Sequence, residues 1–477
     1  MTEKRELKLY IETLGCPKNF NDSEAAAGIW LNASDDRFSF SLADSPDDAN
    51  VFLINTCGFI NDAKKESIDT IFDFADITDS RAKSGNSAIL VVSGCLSQRY
   101  SAELYDEMPE VDIFLGVNEY ESLPEIVASF AERRHNGMDR THTRCRYSSD
   151  APVEFEEFSA RYIEEGRYTA TLRIAEGCNN RCAYCVIPHI RGGLRSRPME
   201  NILKEARELI DGGVKEIILI AQDLTAYGQD IYGELKLPEL LRRICAMDDK
   251  TGEPSFWIRL MYCYEDKITD ELIDVMASEP NICDYIDIPL QHISDNVLSQ
   301  MRRRSTEKSI KDTIGRLREA IPDIHIRTTF ITGFPGETDA DFETLLKFAE
   351  NAEFERLGVF AYSQEEGTPA GEREDQIDED VRAARADAIM CRQVDISRAI
   401  NEEKIGSILR VLVEGPDEEK TVDGAGKAYI GRTEYDAPEI DGTVIFTAEG
   451  RELKPGDFAY VEITDAFDYD LTGRLAE

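Results

Sequence analysis

The sequence predicts an α/β protein with three successive parts: an N-terminal parallel α/β domain, a partial (β/α)6 barrel of TIM type and a C-terminal small antiparallel β-barrel. Short apolar runs of strand length alternate with helix-like segments through most of the chain, a pattern typical of parallel sheets. Towards the C-terminus, short strands follow one another between Gly-rich turns, which indicates a small barrel. A length of 477 residues allows about three domains of ~150 residues each.

Three strand-like runs in the N-terminal third each end in a cysteine, and a helix-like segment follows each run. The cysteines are Cys16, Cys57 and Cys95. In a parallel α/β sheet the functional crevice lies beyond the carboxyl ends of the strands. A single buried cysteine at a strand end is usually a packing residue. Three cysteines in equivalent positions predict an iron–sulfur cluster that is bound by three thiolates, so that one iron has no protein ligand.

A second set of cysteines occupies a loop in the middle part, directly after its first strand. Cys178, Cys182 and Cys185 stand four and three residues apart, and a [4Fe–4S] cluster held by only three thiolates again keeps one open iron. The spacing resembles the signature of the radical SAM enzymes, in which that iron binds S-adenosylmethionine (SAM). Tyr184 matches the aromatic residue usual in that family. A zinc site that includes His189, or cysteines that only pack in the core, are the alternatives.

The middle part repeats strand and helix six times, and in TIM-type barrels the active site lies at the carboxyl ends of the strands. Polar residues at the predicted strand ends are therefore site candidates: Gln222, Asp223, Gln291, His292, Thr328 and Thr332. Thr332 and Gly333 open a Gly-rich turn whose backbone could approach the methionine or ribose of SAM. The alternative is an ordinary strand-to-helix turn, because Pro and Gly mark turns in every fold.

We expect four segments along the chain: the N-terminal α/β domain over residues 6–130, a linker over 131–163, the barrel over 164–400 and the small β-barrel over 402–473. The last segment is acidic, since residues 401–477 hold 19 Asp and Glu against 8 Lys and Arg. Small β-barrels often bind RNA. The net charge of this one has the wrong sign for that function.

The whole chain has a formal net charge of −40. Such a surface repels phosphate backbones and attracts basic proteins, although acidity that serves only solubility or adaptation to salt is an alternative. Two arginine groups could still form a local basic groove: Arg191, Arg195 and Arg197, and Arg302 to Arg304.

The chain has no apolar run of the ~20 residues that a membrane span needs. With no signal-peptide pattern and an odd count of 11 cysteines, we expect a cytoplasmic protein without a disulfide framework.

The order of these parts resembles that of the radical SAM methylthiotransferases, whose last module is named TRAM, and the resemblance covers nearly the whole chain. One branch, the MiaB type, modifies an adenosine of tRNA. The RimO type modifies the β-carbon of an aspartate in small-subunit ribosomal protein number twelve. The stretches that resemble the RimO type are residues 14–19, 221–228, 288–292, 327–330 and 436–442. The tRNA branch has Gln-Asn in place of Gln222-Asp223, and Gln-Ser in place of Gln291-His292.

This resemblance implies two [4Fe–4S] clusters and SAM, which serves both as the radical source and as the methyl donor. The cluster of the second cysteine set would cleave SAM, and that of the first would hold the exchangeable sulfur. The implied cofactor-binding residues are Tyr184, Gln222, Asp223, Gln291, His292, Thr332 and Gly333. The implied partners are a basic ribosomal protein, free or in the ribosome, a sulfur donor and an electron donor, with no tRNA and no membrane. A tRNA methylthiotransferase and a non-catalytic iron–sulfur electron carrier are the alternatives.

Overall fold

The computed structural model describes residues 4–138, 143–148, 161–248, 252–417, 427–448 and 450–476. The chain divides into two compact units. The first comprises residues 1–164 together with two short stretches, 176–179 and 185–194. The second comprises residues 165–175, 180–184 and 195–477.

The first unit contains a six-stranded parallel sheet with the strand order β2-β1-β3-β4-β5-β6. Its strands are β1 (Arg5–Thr13), β2 (Phe38–Leu42), β3 (Val51–Thr56), β4 (Ile89–Gly94), β5 (Ile113–Leu115) and β6 (Cys145–Tyr147). Its longer helices are α1 (Pro17–Asn32), α2 (Asn61–Lys83), α3 (Cys95–Glu107) and α4 (Leu123–His135), with short 3-10 turns at Pro46–Asp48 and Tyr120–Ser122.

The central strands β3 and β4 are buried along their whole length. Leu53 and Val91 belong to one apolar cluster, which includes Trp30 of α1, whereas Phe52 and Leu90 belong to another, which includes Phe74 of α2. Because helices cover both faces of a parallel sheet, its strands are continuous apolar runs rather than alternating ones. The parallel α/β domain that the sequence predicts is confirmed.

This sheet continues beyond the expected domain end at residue 130. Helix α4 runs to His135, and β6 pairs with β5 inside the stretch 131–163 that we expected to be a linker. Arg144 anchors β6, since its guanidinium donates to the backbone oxygens of Val111 at 2.8 Å and of Tyr105 at 2.8 Å. A strand of three residues is too short to show a periodic pattern, so the sequence did not indicate it.

The second unit contains a sheet of six parallel strands in the order β14-β13-β12-β11-β10-β7. In chain order, the strands of this part of the chain, including two that do not belong to the sheet, are β7 (Thr169–Arg173), β8 (Ala175–Glu176), β9 (Arg195–Ser196), β10 (Glu216–Ile220), β11 (Trp257–Leu260), β12 (Ile282–Gln291), β13 (His325–Thr332) and β14 (Arg356–Ala361). The two-residue strands β8 and β9 lie outside that sheet.

Helices follow the strands of this part of the chain: α5 (Ile187–Arg191, in the first unit), α6 (Met199–Asp211), α7 (Leu237–Cys245), α8 (Asp270–Ser278), α9 (Asp295–Gln300), α10 (Glu307–Ala320), α11 (Asp339–Ala352) and α12 (Glu379–Glu402). Short 3-10 turns occur at Leu224–Ala226 and Glu265–Lys267. Thr306 and Thr338 begin α10 and α11 with reciprocal capping bonds. Six parallel strands in sequential order confirm the predicted partial barrel.

The C-terminal part is a closed barrel with the strand order β15-β16-β17-β19-β18. Its strands are β15 (Ile408–Pro416), β16 (Lys427–Thr433), β17 (Val444–Ala448), β18 (Phe458–Ala466) and β19 (Leu471–Leu475). The predicted barrel is confirmed, but it is not wholly antiparallel, because β17 and β19 run in parallel. A closed ring with an odd number of strands cannot alternate in direction throughout, so at least one neighbouring pair must be parallel.

Within the second unit, this small barrel packs against the sheet. Phe458 of β18 meets Trp257 of β11 edge to face, with ring centroids 4.8 Å apart. Leu412 of β15 and Ala437 join the same apolar cluster as Tyr285 of β12. Among the helices that the structure describes, none combines the length and the apolar character needed to cross a membrane.

Candidate cofactor sites

The first cysteine set lies at one edge of the N-terminal sheet. Cys16 directly precedes α1, Cys57 directly follows β3, and Cys95 is the first residue of α3 after β4. Because β1, β3 and β4 are adjacent parallel strands, their carboxyl ends meet at the same edge. Burial raises the pKa of the Cys57 thiol and raises that of Cys95 to about 12. The negative charge of Cys16 also raises both pKa values.

Glycines beside these cysteines let the three strand ends approach closely. A Cβ placed on Gly15 would lie 2.7 Å from the Cβ of Cys57, and one on Gly94 would lie 2.4 Å from the carbonyl oxygen of Thr56. Gly15 and Gly94 also adopt φ values of +93° and +94°, a region that residues with a Cβ rarely enter. The packing of the three turns against one another therefore depends on the absence of these side chains.

Asn19, in the first turn of α1, connects the same three turns. Its Nδ2 donates to the backbone oxygens of Leu14 at 2.8 Å and of Thr56 at 3.0 Å. Its Oδ1 accepts from the Cys95 thiol at 3.8 Å. The sequence marked Asn19 only as part of the stretch 14–19, and no local pattern indicates this role.

Arg191, the last residue of α5, also reaches this site within the first unit. Its Nη2 lies 2.8 Å from Oδ2 of Asp22, and its Nη1 lies 3.2 Å from Oε2 of Glu176. The same Nη2 donates to Oδ1 of Asn19 at 3.0 Å and to Sγ of Cys95 at 3.4 Å. Arg191 is therefore a buried ion-paired residue at the first cysteine set.

Half of the arginines considered for a basic groove are buried and cannot contribute to one, whereas Arg302 and Arg304 are exposed. Besides Arg191, the side chains of Arg197 and Arg303 are buried. Arg197 pairs with Glu205 at 2.7 Å, and the guanidinium carbon of Arg303 lies 4.3 Å from the ring centroid of Tyr264. These charges serve packing inside the protein.

The donor set at this edge of the sheet suits an iron–sulfur cluster. Thiolates are the soft ligands that such clusters require, and all 11 cysteines of the chain are free. In the described ranges of the chain, no three His, Cys, Asp or Glu side chains converge closely enough to bind one metal ion. Zinc would need such convergence. The three thiolates of a [4Fe–4S] cluster bind three different irons and stand further apart than the ligands of a single ion.

The second cysteine set belongs to the loop that begins after β8. In the first unit, the backbone N–H of Cys178 donates to the carbonyl oxygen of Gly192 at 3.1 Å. Gly177 has a φ of +71°, and a Cβ on it would lie 2.1 Å from the carbonyl oxygen of Gly193. Only glycine at position 177 allows the chain to pass this close to residues 192 and 193.

In the second unit, Asp223 holds the middle of this loop. Its Oδ2 accepts from Nδ2 of Asn180 at 2.6 Å and from Nζ of Lys267 at 2.8 Å. The thiol of Cys182 lies 3.2 Å from the hydroxyl of Tyr264. We predicted Asp223 as a cofactor-binding residue, and in the structure it contacts the loop itself. Asn180, Tyr264 and Lys267 carried no signal in the sequence.

Tyr184, the predicted aromatic neighbour of the cofactor, is half-buried at the rim of an apolar cluster that contains Phe334 and Tyr362. The residue before it, Ala183, fixes the backbone here. Its N–H donates to the carbonyl oxygen of Met301 at 2.9 Å, and its own carbonyl oxygen accepts from the N–H of Ala370 at 2.9 Å.

The predicted residues at the ends of the later strands are all partly or fully buried: Gln222, Gln291, His292, Thr328 and Thr332. Gln291 adopts a φ of +71°, which is unusual for a residue with a side chain. His292 accepts at Nδ1 from the backbone N–H of Ser294 at 2.9 Å. Its Nε2 lies 3.6 Å from Oε2 of Glu337.

Glu337 organises the Gly-rich turn that begins at Thr332. Its Oε2 accepts from the N–H of Gly333 at 2.8 Å, and its Oε1 accepts from Arg385 of α12 at 2.8 Å. A Cβ on Gly333 would lie 2.2 Å from Cγ of Arg382, and Oγ1 of Thr332 donates to the carbonyl oxygen of Arg382 at 3.0 Å. The glycine that we predicted to approach SAM thus allows α12 to approach the turn.

Comparison with known proteins identifies each part of this fold. The chain matches the uncharacterized protein family UPF0004 over residues 8–116, the radical SAM superfamily over residues 172–349 and the TRAM domain over residues 405–476. Similar solved structures include TsrM, a radical SAM methyltransferase from Kitasatospora setae, with a TM-score of 0.52, 14% identity and 77% of each chain covered. Another is OxsB, a cobalamin-dependent SAM radical enzyme, with a TM-score of 0.52, 13% identity and coverage of 82% of this chain and 56% of that chain. The fold and the superfamily match define a radical SAM enzyme.

Curated relatives match almost the whole chain. One from Geobacter sulfurreducens is 46% identical over 468 residues, which cover 98% of each chain. Others come from Desulforamulus reducens, 46% identical with 98% of each chain covered, and from Clostridioides difficile, 43% identical with 98% of this chain and 99% of the relative covered. All three are named ribosomal protein uS12 methylthiotransferase RimO. The chain belongs to this family of radical SAM methylthiotransferases.

Proposed function

We propose that this protein attaches a methylthio group to the β-carbon of an aspartate in ribosomal protein uS12. The observation that carries the proposal is the identity of 46% over 98% of both this chain and a relative named for that activity. The stretches 221–228, 288–292 and 436–442, which resemble the RimO type rather than the tRNA type, support the same substrate.

In this proposal Cys16, Cys57 and Cys95 hold one [4Fe–4S] cluster, and Cys178, Cys182 and Cys185 hold a second. When they are bound, the second cluster and SAM supply the one-electron chemistry that removes hydrogen from an unactivated carbon, which no side chain can do at neutral pH. The first cluster would carry the exchangeable sulfur, and a further SAM would donate the methyl group. Three thiolates per set support the assignment, because each cluster keeps an open iron.

The protein's own contribution is to hold these groups in place. Asp223 fixes Asn180, the residue midway between Cys178 and Cys182, through a charged acceptor at 2.6 Å. Asn19 fixes the turns of the first cysteine set through two backbone carbonyls, those of Leu14 and Thr56. Such preorganised contacts keep reacting groups in position. The burial of Cys57, Cys95, Cys178 and Cys182 limits the access of water to the reactive species.

The charge of the chain supports a basic protein as the substrate. A net charge of −40 attracts a basic ribosomal protein and disfavours tRNA. A sulfur donor and an electron donor complete the list of partners. We further propose that residues 6–130, extended by the rest of α4 and by β6, form the domain of the first cluster. The remainder of 131–163 would connect it to the radical SAM core at 164–400, and 402–473 would form the TRAM module that meets the substrate.

Mass spectrometry of ribosomal proteins and of tRNA tests the proposal. Cells that lack this protein should have unmodified uS12 and normally methylthiolated tRNA. The intact gene should restore the mark on uS12, and a gene encoding Ala in place of Cys178, Cys182 and Cys185 should not. If the tRNA pool loses its methylthio group while uS12 keeps its mark, the protein is a tRNA methylthiotransferase and the proposal is wrong.

A further inference from the structure

We propose that Arg191 is a positioning residue for the first cluster. Its guanidinium donates a hydrogen bond to the sulfur of Cys95 and thereby raises the reduction potential of that cluster and slows the loss of its iron. The inference rests on the proposed function, since it assumes that Cys16, Cys57 and Cys95 hold a [4Fe–4S] cluster.

The geometry around Arg191 supports a direct contact with a cluster ligand. Its Nη2 lies 3.4 Å from Sγ of Cys95, and both side chains are buried. The same nitrogen donates to Oδ1 of Asn19 at 3.0 Å. Oδ1 of Asn19 lies 3.8 Å from Sγ of Cys95, so the arginine, the asparagine and the cysteine sulfur lie together in one group.

Two carboxylates hold the guanidinium in this orientation. Asp22 of α1 binds Nη2 at 2.8 Å, and Glu176 of β8 binds Nη1 at 3.2 Å. The side chains of all three residues are at most 8% exposed. A planar fork that donates in several fixed directions is specific to arginine. Lysine has a single nitrogen and cannot reproduce the set of contacts.

Arg191 lies six residues after Cys185, both within the first unit. The segment that leaves the second cysteine set thus ends, in α5, on a side chain that contacts the first set. The same short segment therefore carries one predicted ligand of the second set and a contact to the first.

Hydrogen bonds to the sulfurs of an iron–sulfur cluster, and its net charge and burial, set its reduction potential. A donor to a thiolate sulfur withdraws negative charge from the cluster and favours the reduced state. In a buried site this interaction is stronger than in water. Removal of the Arg191 donor should therefore make the first cluster harder to reduce.

The test uses the full chain with Cys178, Cys182 and Cys185 changed to Ala, so that only the first cluster can be reconstituted. In that parent, the pair variant carries Asp22→Asn and Glu176→Gln, which remove the two carboxylates and keep Arg191. The variant without Arg191 adds Arg191→Gln to these two changes, so that none of the three positions carries a charge. The matched control changes another buried pair, Arg197→Gln with Glu205→Gln, which lies in the second unit. The readouts are the midpoint potential from an electron paramagnetic resonance titration and the rate of iron loss to a chelator.

We expect the variant without Arg191 to have a lower midpoint potential and faster iron loss than the pair variant, and the control to match the parent in both. Equal potentials and equal iron loss in the variants with and without Arg191 would overturn the inference. If circular dichroism shows that the variant lacking Arg191 is unfolded, Arg191→Lys in the parent decides. It keeps the positive charge beside the carboxylates but lacks the planar fork that also reaches the sulfur, and an unchanged potential contradicts the proposal. A parent that binds no iron at all contradicts the assignment of the first cluster itself.

Discussion

Arg432 of the C-terminal barrel donates through Nη2 to Oε2 of Glu216, the first residue of β10, across 2.7 Å, and both side chains are buried. Arg259 of β11 donates to the other oxygen of the same carboxylate at 2.7 Å. Burial by itself would raise the pKa of Glu216, but the charges of Arg432 and Arg259 lower it to about 2. This ionic contact joins the TRAM barrel to the N-terminal ends of the sheet strands.

Changing Arg432 to Met should destabilise the protein strongly, because it leaves a buried carboxylate with one partner fewer. Breaking a buried pair from one side costs about 3–5 kcal/mol. Urea unfolding measures the effect. Arg474→Met is the control, since its pair with Glu462 is 65% and 36% exposed, and it should change the free energy of unfolding by less than ~1 kcal/mol. Equal effects of the two substitutions would contradict the role of the buried pair.

Asp284 predicts a pH dependence of stability. Burial, together with the charge of Glu434, raises its pKa from 3.8 to about 6. The folded protein therefore binds the proton of Asp284 more tightly than the unfolded chain does. The contribution of this proton to stability is complete below the pKa that Asp284 has in the unfolded chain, and it is lost as the pH rises through about 6. Because the carboxyl is half-exposed, we expect a loss of only ~1 kcal/mol between pH 4 and 7. Asp284→Asn should remove this part of the pH dependence, as measured by urea unfolding at both pH values. A variant with the same pH profile as the parent would refute the assignment.

The two cysteine sets predict two separable clusters. After anaerobic reconstitution the protein should hold two [4Fe–4S] clusters. Changing Cys178, Cys182 and Cys185 to Ala should leave one cluster and abolish the reductive cleavage of SAM. Changing Cys16, Cys57 and Cys95 to Ala should leave SAM cleavage intact and stop methylthiolation of uS12. Iron analysis and detection of 5′-deoxyadenosine measure both. Production of 5′-deoxyadenosine by the first triple variant would show that the radical assignment is wrong.

Asp223 should act on the second cluster through the loop that it holds. Asp223→Asn removes the charge that binds Asn180 and Lys267 and should lower SAM cleavage by about 10–100-fold, a range typical of residues that support metal ligands. The iron of the first cluster should be unaffected. Asp266→Asn is the matched control, because Asp266 contacts the same Lys267 at 3.4 Å but has no described bond to Asn180. If both variants cleave SAM equally well, Asp223 does not position the loop.

The acidic residues of the TRAM barrel divide into buried and exposed ones. Asp436 pairs with Arg356 at 2.6 Å, and Asp441 accepts from the hydroxyl of Tyr285 at 2.8 Å. Both carboxylates are at most 4% exposed, so they hold the barrel in place and cannot present charge to a substrate.

Charge reversal at exposed acidic residues of the TRAM barrel tests whether this barrel docks the substrate. Glu439→Lys, Glu452→Lys and Asp465→Lys together should slow the association of uS12, because these three side chains are exposed and such charges mainly steer encounter. The difference from the parent should fade as salt shortens the Debye length from its physiological ~8 Å. Stopped-flow association at two salt concentrations measures it. Folded protein with an unchanged association rate would contradict docking at this surface.

Several features of the fold could be predicted because local patterns carry them. Runs such as β3 and β4 are apolar throughout because helices cover both of their faces. The three strands that end in cysteine, the six strand–helix repeats and the C-terminal barrel all follow from patterns of this kind. In contrast, β6 and the parallel pairing of β17 with β19 depend on contacts between distant segments.

By itself, the sequence determined the three parts of the fold, the positions of the six cysteines and the family resemblance, since each is a pattern of neighbouring residues. Only the tertiary structure decided that Arg191 contacts the sulfur of Cys95, 96 residues away, and that Asp223 holds Asn180, 43 residues away. It also decided that Asp436 is a buried partner of Arg356 rather than a surface charge. Charged and polar side chains look alike in a sequence whether they are solvated or buried. Their partners arise only when folding brings remote segments together and burial makes an unpaired charge costly.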